Sequence, residues 1–201
     1  MSDGSKFPKF SMIARKSTIE SMYKAVDENY DIIQFGGVDN NKDRLRYILD
    51  SVENYIKVKN KKEIFYIIEL LGGRDTASVV NNAMEIINRR QLQNRIIINS
   101  LDLKTLQYLH NHYPNIKTAL HAIPNSGSSF RKQMKDLGFI PTIYYTDYSL
   151  VNDALIQDCK TRKIKLFVSV LNVFKEQVPN KIKNSGIDGI ICDYPAPGEN
   201  D

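Results

Sequence analysis

IIQFGGVDNN, residues 32–41, is a run of β-branched and aromatic residues that stops at two glycines and a polar loop. Such a run is typical of a buried strand in a parallel sheet that ends at a functional loop. The polar residue inside the run is an amide, Gln34, with no carboxylate beside it. The stretch therefore predicts an α/β fold and leaves open whether its loop carries catalytic chemistry.

Seven further strands are predicted around this one, because short apolar runs recur along the whole chain. They are FSMIA (10–14), EIFYIIEL (63–70), RIIINSL (95–101), IKTALHAI (116–123), PTIYYTD (141–147), KIKLFVSVLN (163–172) and IDGIICDY (187–194). Segments with apolar residues at helical spacing lie between them. These are residues 18–30, 43–59, 78–92, 103–113, 128–138, 148–163 and 174–186.

Eight strands that alternate with seven helices indicate a closed (β/α)8 TIM barrel rather than an open sheet. No Gly-x-Gly-x-x-Gly or Walker loop follows any strand, which weakens the open-sheet alternative. The chain of 201 residues is small for such a barrel, and only APGEND follows the last strand, so we expect the eighth helix to be missing. We predict a single domain over residues 1–201.

Composition restricts the protein classes to consider. Two cysteines, Cys159 and Cys192, stand outside any metal-ligand or Cys-x-x-Cys spacing, so we expect reduced or buried thiols. The N-terminal residues contain no signal-peptide or membrane-spanning stretch, and we expect a soluble protein, cytoplasmic by default. The net charge of +5 suits an anionic partner. We do not expect nucleic acid, because aromatic residues do not interleave with the basic ones.

A TIM barrel has a functional rim at the carboxyl ends of its strands and a stability rim at the amino ends. The predicted functional rim collects Arg15, Lys16, Gln34, Asp39, Glu69, Arg74, Asp75, Asn99, Asp102, Asp147, Asn172 and Asp193. The opposite rim is basic, with Lys57, Lys59, Lys61, Lys62, Arg89, Arg90, Arg95, Lys160, Arg162, Lys163 and Lys165. We favour a structural role for this basic rim, in which its charges stabilise the carboxyl ends of helices. The alternative is docking to an anionic membrane surface or polymer.

Several segments, in the same order, resemble the glycerophosphodiester phosphodiesterase family. GIDGIICDYP (186–195) is close to that family's Gly-Val-Asp-Gly-Ile-x-Thr-Asp-Tyr-Pro motif. IIELLGG (67–73) matches its Ile-Glu-x-Lys strand, with Leu71 in place of the lysine. Residues 13–37 resemble its opening, a strand ending in His-Arg-Gly and a second strand carrying Glu-x-Asp. Residues 95–114 and LFVSVLN (166–172) match two further segments.

The resemblance implies a hydrolase that uses two histidines and a divalent metal held by three carboxylates, with a role in lipid metabolism. Carried over residue by residue, most of that site is missing here. No histidine precedes Arg15, the Glu-x-Asp pair falls on Gln34 and Gly36, and the segment with the second histidine is absent. Of the metal ligands only Glu69 remains.

Three histidines and Asp39 are the candidates to replace the missing groups. His110 and His112 fall on the outside of the fourth helix, and His121 falls in the fifth strand, where we favour a core histidine with its polar atoms satisfied. Asp39 is the candidate to share a cation with Glu69, although two carboxylates make a weak divalent site. The residues predicted to bind a phosphate or other ligand are Arg15, Lys16, Gln34, Asn99, Asn172 and Asp193.

The preferred interpretation is a pseudoenzyme without a cofactor, which binds a phosphodiester-like or glycerophosphate-like ligand or a protein partner. The alternative is an active phosphodiesterase with Ca²⁺ or Mg²⁺ at Glu69 and Asp39, and His121 as a catalytic residue. In a third interpretation the barrel is a rigid assembly module, with a second copy or another protein at the uncovered position of the eighth helix.

Overall fold

A computed structural model of the chain describes residues 11–38, 42–73, 75–122, 128–170 and 185–192, without the side chains of residues 37, 38 and 192. Eight parallel strands close into a barrel in chain order. The strands are β1 (Ser11–Arg15), β2 (Ile32–Val38), β3 (Phe65–Leu70), β4 (Ile96–Ser100), β5 (Lys117–His121), β6 (Ile143–Asp147), β7 (Lys165–Val170) and β8 (Gly189–Cys192). All eight predicted strands and the predicted barrel are confirmed.

Six α-helices cover the barrel in the described part of the chain. They are α1 (Ile19–Asp27), α2 (Lys42–Val58), α3 (Thr76–Arg89), α4 (Leu103–His112), α5 (Phe130–Leu137) and α6 (Asp153–Arg162). The predicted sixth helix began at residue 148, but Tyr148–Leu150 forms a separate 3-10 turn, and α6 begins after its own cap, Asn152. Most of the predicted seventh helix, and all residues after β8, lie outside the described residues.

Strand side chains alternate between the barrel interior and the helical layer, as a pleated strand requires. The interior cluster consists of Ile13, Ile32, Phe65, Ile67, Ile97, Ala119, Ile143, Tyr145, Phe167 and Ile191. The intervening residues, such as Ile33, Tyr66 and Ile98, belong to a larger core shared with the helices. Interior residues at the last position of a strand therefore face the mouth of the barrel, its carboxyl-terminal opening.

Two sequence-based expectations can be compared with this architecture. No helix in the described ranges has the length and apolar character needed to cross a membrane. Cys159 is a free, buried thiol, as expected, and burial raises its pKa to about 12. A thiol with so high a pKa carries almost no thiolate at neutral pH and is chemically inert.

Candidate functional site

Three side chains from distant parts of the sequence form one cluster at the mouth of the barrel. Nη2 of Arg15, at the end of β1, donates a hydrogen bond to the hydroxyl of Tyr145 on β6. The Arg15 guanidinium carbon also lies 5.9 Å from the centre of the Tyr145 ring. The imidazole of His121 on β5 stacks on the Tyr145 ring, and the two ring centres are 4.2 Å apart. The tyrosine thus holds the arginine and the imidazole in one arrangement.

His121 differs from the core histidine that we expected, because its polar atoms are not all satisfied. Its Nδ1 is buried and has no hydrogen-bond partner among the residues that the structure describes. Burial, together with the nearby positive charge of Arg15, lowers the pKa of His121 from 6.5 to about 4. The imidazole is therefore neutral at physiological pH, with one ring nitrogen unpaired beside the arginine.

Lys16 and Gln34 extend the site from β1 to β2. The backbone N–H of Lys16 donates to the Gln34 carbonyl over 2.9 Å, which continues the pairing of β1 with β2 past the end of β1. The Lys16 side chain is largely buried at 9% exposure, whereas Arg15 beside it is exposed. Lys16 therefore follows Arg15 at the carboxyl end of β1, with its side chain largely buried.

Two buried amides lie deeper in the mouth. Gln34 is 2% exposed, and its Oε1 has no hydrogen-bond partner in the described ranges. Asn99 on β4 is fully buried, and neither its Oδ1 nor its Nδ2 has a partner there. Asn99 is in register with Glu69 of β3, so the two side chains are neighbours across strands. Unpaired buried amides are rare in native proteins and require an explanation.

Glu69 and Gly36 test whether the described residues fit a divalent metal. A side-chain carbon added to Gly36 would lie 2.6 Å from Glu69 Oε2, so the glutamate carboxylate would have to move to accommodate a side chain at position 36. Within the described ranges, no three His, Cys, Asp or Glu residues are grouped closely enough to hold a metal ion. The described donors thus do not fit the three-carboxylate cage.

Three other acidic residues of the predicted functional rim are used as helix caps. Asp75 accepts a hydrogen bond from the Ser78 N–H at the start of α3. Asp102 accepts from the N–H groups of Lys104 and Thr105 at the start of α4. Asp147 similarly caps the 3-10 turn that follows β6. Their position at the rim is as predicted, but each already has a structural role.

The remaining predicted residues divide into two groups. Asp39, Arg74, Asn172 and Asp193 lie outside the described residues. His110 and His112 lie on α4, outside the barrel, where they stack on Phe139 and Tyr108 respectively. The expected outer location of these two histidines is confirmed.

Tyr145 is the functional candidate that sequence reasoning missed, because only charged and amide residues at the rim were considered. Its position carried a usable signal. Asp147 marks the carboxyl end of β6, and the residue two positions earlier must lie on the same face of the strand. The alternation of strand side chains would therefore have placed Tyr145, rather than Tyr144, inside the barrel.

The chain is similar in sequence to one glycerophosphodiester phosphodiesterase and in fold to several others. No family model matches the chain. YhdW of Bacillus subtilis, which is named as a glycerophosphodiester phosphodiesterase, is 24% identical over 147 residues. The match covers 73% of this chain and 59% of YhdW, so the chain spans little more than half the length of this relative.

Solved structures agree with the sequence comparison. A glycerophosphodiester phosphodiesterase from Parabacteroides distasonis superimposes with a TM-score of 0.71 at 16% identity, covering 94% of this chain and 95% of that one. A phosphodiesterase from Oleispira antarctica, solved with its product sn-glycerol-3-phosphate, gives a TM-score of 0.71 at 13% identity over 92% of this chain and 93% of its own. At these identities the structures show the shared fold alone. Together with YhdW, they confirm the predicted similarity to this class of protein.

Proposed function

We propose that this glycerophosphodiester phosphodiesterase-like barrel binds a phosphate ester at its mouth and does not hydrolyse it. The observation that carries the proposal is the Arg15 guanidinium, which the Tyr145 hydroxyl and ring hold in place beside Lys16. A planar guanidinium donates two parallel hydrogen bonds to phosphate oxygens. Because Tyr145 restricts the guanidinium, less conformational entropy is lost when the anion binds.

The chemistry of the neighbouring groups supports binding without cleavage. Cleavage of a phosphodiester requires a proton donor for the departing alkoxide, and the donor must titrate near neutrality. Burial lowers the pKa of His121 to about 4, so at neutral pH the imidazole is in its neutral form, which is a weak proton donor. Three of the described rim carboxylates, Asp75, Asp102 and Asp147, already cap a helix or a turn. In the described ranges this leaves one rim carboxylate, Glu69, for chemistry at the mouth.

Calorimetric titration with sn-glycerol 3-phosphate and with inorganic phosphate tests the binding. We expect the Arg15→Ala variant to bind about ten- to a hundredfold more weakly than the wild type, because a charged hydrogen-bond pair is lost. Arg89→Ala is the matched control, since Arg89 is the last residue of α3, at the opposite end of the barrel, and pairs with Glu85. Equal affinity of wild type and Arg15→Ala, or no binding at millimolar ligand, would refute the proposal.

Hydrolysis is tested separately with glycerophosphocholine in the presence of Mg²⁺, Ca²⁺, Mn²⁺ or Zn²⁺. We expect no turnover above that of buffer containing the same metal. The active-enzyme alternative makes the opposite prediction, in which turnover occurs and Glu69→Ala abolishes it. That result would show that residues outside the described ranges complete a metal site with Glu69.

A further inference from the structure

A cleft of about 430 Å³ lies in the helical layer, between the first turns of α5 and α6. Its floor is the outer face of β6, formed by Tyr144 and Thr146. Tyr145, between them in the chain, points into the barrel and contacts Arg15 at the mouth. Strand β6 therefore separates this cleft from the mouth, and we call it the α5–α6 cleft.

The cleft exists because the two helices beside it cover β6 loosely. Helix α6 buries one residue, Cys159, whereas α3 buries six. Helix α5, with eight residues, is the shortest of the six described α-helices. An ion pair between Arg131 of α5 and Asp158 of α6 joins the two helices across the opening. The resulting volume lies within the range of small-molecule pockets, whose walls are mainly apolar.

The walls of the cleft offer aromatic and aliphatic surface. On the α5 side, the ring of Phe130 meets the ring of Tyr144 edge to face, with the centres 4.9 Å apart and the planes at 89°. On the α6 side, Leu155 and Leu150 line the cleft, and Leu150 is 46% exposed. A further ring can pack against such an aromatic pair, and it would remove the exposed leucine surface from water. The walls therefore favour an aromatic ligand.

The charges of the lining exclude an ionic ligand. Arg131 and Asp158 are the two charged residues that line the cleft, and they bind each other. Arg131 Nε lies 3.0 Å from Asp158 Oδ2, and Arg131 Nη2 lies 3.2 Å from Asp158 Oδ1. Because each charge is already paired, an ion that entered the cleft would lose water without gaining a partner of opposite charge. We therefore expect the ligand to be uncharged.

Thr146 provides a polar group on the floor of the cleft. It is 2% exposed, and none of the hydrogen bonds among the described residues uses its hydroxyl. The Tyr144 hydroxyl, in contrast, donates to Gln133 Oε1 over 3.3 Å. A threonine hydroxyl can both donate and accept, so it matches a ligand hydroxyl, which has the same two capacities.

We propose that the α5–α6 cleft is a second binding site, for a small uncharged aromatic alcohol. The ligand ring packs between Phe130 and Leu155, and the ligand hydroxyl forms a hydrogen bond with Thr146. This site goes beyond the phosphate-ester binding proposed for the mouth and does not depend on it, because different side chains form the two sites on opposite faces of β6.

Calorimetric titration with 2-naphthol and 2-naphthoate tests the chemistry of the site, since the first is neutral at neutral pH and the second is an anion of similar shape. We expect 2-naphthol to bind the wild type with a Kd below about 1 mM. The naphthoate should bind about tenfold more weakly or not at all, because its carboxylate finds no free cation.

Thr146→Val tests the hydrogen bond to the ligand. Valine removes the hydroxyl with little change in volume, so affinity for 2-naphthol should fall about five- to tenfold, whereas Thr146→Ser should retain most of it. Thr118→Val is the matched control, since Thr118 is a buried threonine on the outer face of the neighbouring strand β5 and does not line the cleft.

Asp158→Asn tests the charge argument, because it leaves the Arg131 cation without its carboxylate. Affinity for 2-naphthoate should then rise about tenfold over the wild type, and affinity for 2-naphthol should stay within about twofold. Asp136→Asn is the control, since it breaks an exposed pair with Lys132 on α5 that does not line the cleft. Neither ligand should respond to that change.

The binding experiments can overturn the inference in three ways. No binding of 2-naphthol at about 1 mM overturns it, as does equal affinity of the wild type and Thr146→Val. Loss of 2-naphthol binding in Arg15→Ala also overturns it, because the ligand then occupies the mouth. Retained binding in that variant supports the cleft whether or not the mouth binds a phosphate ester.

NMR titration of the wild-type protein locates the ligand without any variant, and so decides the question if Thr146→Val does not fold. The methyl signals of Leu150 and Leu155 should move as 2-naphthol is added, and those of Ile13 and Ile97 in the barrel interior should not. Movement of the interior signals alone would overturn the inference.

Discussion

Gln34 and Gly36 leave the end of β2 without the two carboxylates of a Glu-x-Asp pair. Gln34 replaces the first carboxylate of a Glu-x-Asp pair with a neutral amide, and Gly36 removes the second. In the described part of the chain, Glu69 is then the rim carboxylate that does not cap a helix or turn. Because a cage of carboxylates favours divalent cations, the loss of two carboxylates supports the anion binding that we propose.

His121 makes a prediction about the pH dependence of stability. Its pKa is about 4 in the folded protein and 6.5 when exposed, so between these values the unfolded chain binds a proton that the folded chain does not. The free energy of unfolding should therefore be greatest above pH 6.5 and fall as the pH decreases to 4, by up to about 3 kcal/mol from this residue. Urea unfolding over this pH range measures the decrease.

The His121→Phe variant identifies the residue responsible for this pH dependence. Phenylalanine retains the ring that stacks on Tyr145 but has no titrating group. Its free energy of unfolding should vary less with pH than that of the wild type, whereas the outer variant His112→Phe should follow the wild type. Parallel curves for wild type and His121→Phe would contradict the assignment.

At the scale of elements, the loops at the mouth are organised by helix caps. Asp75, Asp102 and Asn152 cap α3, α4 and α6 by accepting hydrogen bonds from backbone N–H groups in the first turn. Ser100 also joins β4 to β3, by donating to the Leu70 carbonyl, and accepts from the Asp102 N–H. Rim residues that suggest chemistry in the sequence therefore shape the loops that surround the site.

Asp102→Ala tests this division between structure and binding. We expect the free energy of unfolding to fall by about 1 kcal/mol, because α4 loses the acceptor for its first N–H groups. Affinity for sn-glycerol 3-phosphate should stay within about twofold of the wild type, because the Asp102 side chain caps α4 and is not one of the proposed ligand-binding groups. Asp102→Asn, which retains a capping oxygen, should recover most of the stability. A large loss of affinity in the alanine variant would instead place Asp102 in the binding site.

At the scale of the whole molecule, the two ends of the barrel use charge differently. Six of the eleven basic residues predicted for the amino-terminal rim form ion pairs with carboxylates: Lys61, Lys62, Arg89, Arg90, Arg95 and Lys165. Such pairing lowers the positive field at this end of the barrel. At the carboxyl-terminal mouth, three amide atoms and one imidazole nitrogen have no partner among the described residues.

Arg95 is the central residue of the amino-terminal end, because it joins the helical layer to the barrel. It donates two hydrogen bonds to Glu53 of α2 and one to the Ile64 carbonyl before β3. Tyr66 of β3 donates to the same glutamate. Burial and the Glu53 charge keep the pKa of Tyr66 well above its usual value of 10, so the hydroxyl remains a donor.

Arg95→Met should lower the free energy of unfolding by about 3 kcal/mol, because Glu53 is left half-buried without its cation. The matched substitution Arg46→Met removes an exposed ion pair with Asp43 and should change stability by less than about 1 kcal/mol. Urea denaturation of both variants measures the difference. Similar effects of the two substitutions would show that the Arg95 network is no stronger than a surface pair.

The sequence by itself determined the barrel, the order of its strands and the loss of carboxylates at positions 34 and 36. Strand periodicity and residue identity are local properties, so they can be read without coordinates. The start of α6 was less certain, because Asp147 and Asn152 are both good caps in the same segment. Packing assigned the first to a 3-10 turn and the second to the helix.

Only the tertiary structure brought Arg15, His121 and Tyr145 together and showed which polar atoms have no partner. Arg15 and Tyr145 are 130 positions apart in the chain and meet because the strands close into a barrel. Burial and hydrogen-bond satisfaction depend on every neighbour in three dimensions, which the spacing of residues along the chain does not contain. For this reason the sequence could name Gln34 and Asn99 as rim residues, but only the structure showed that their amide atoms are buried without a partner among the described residues.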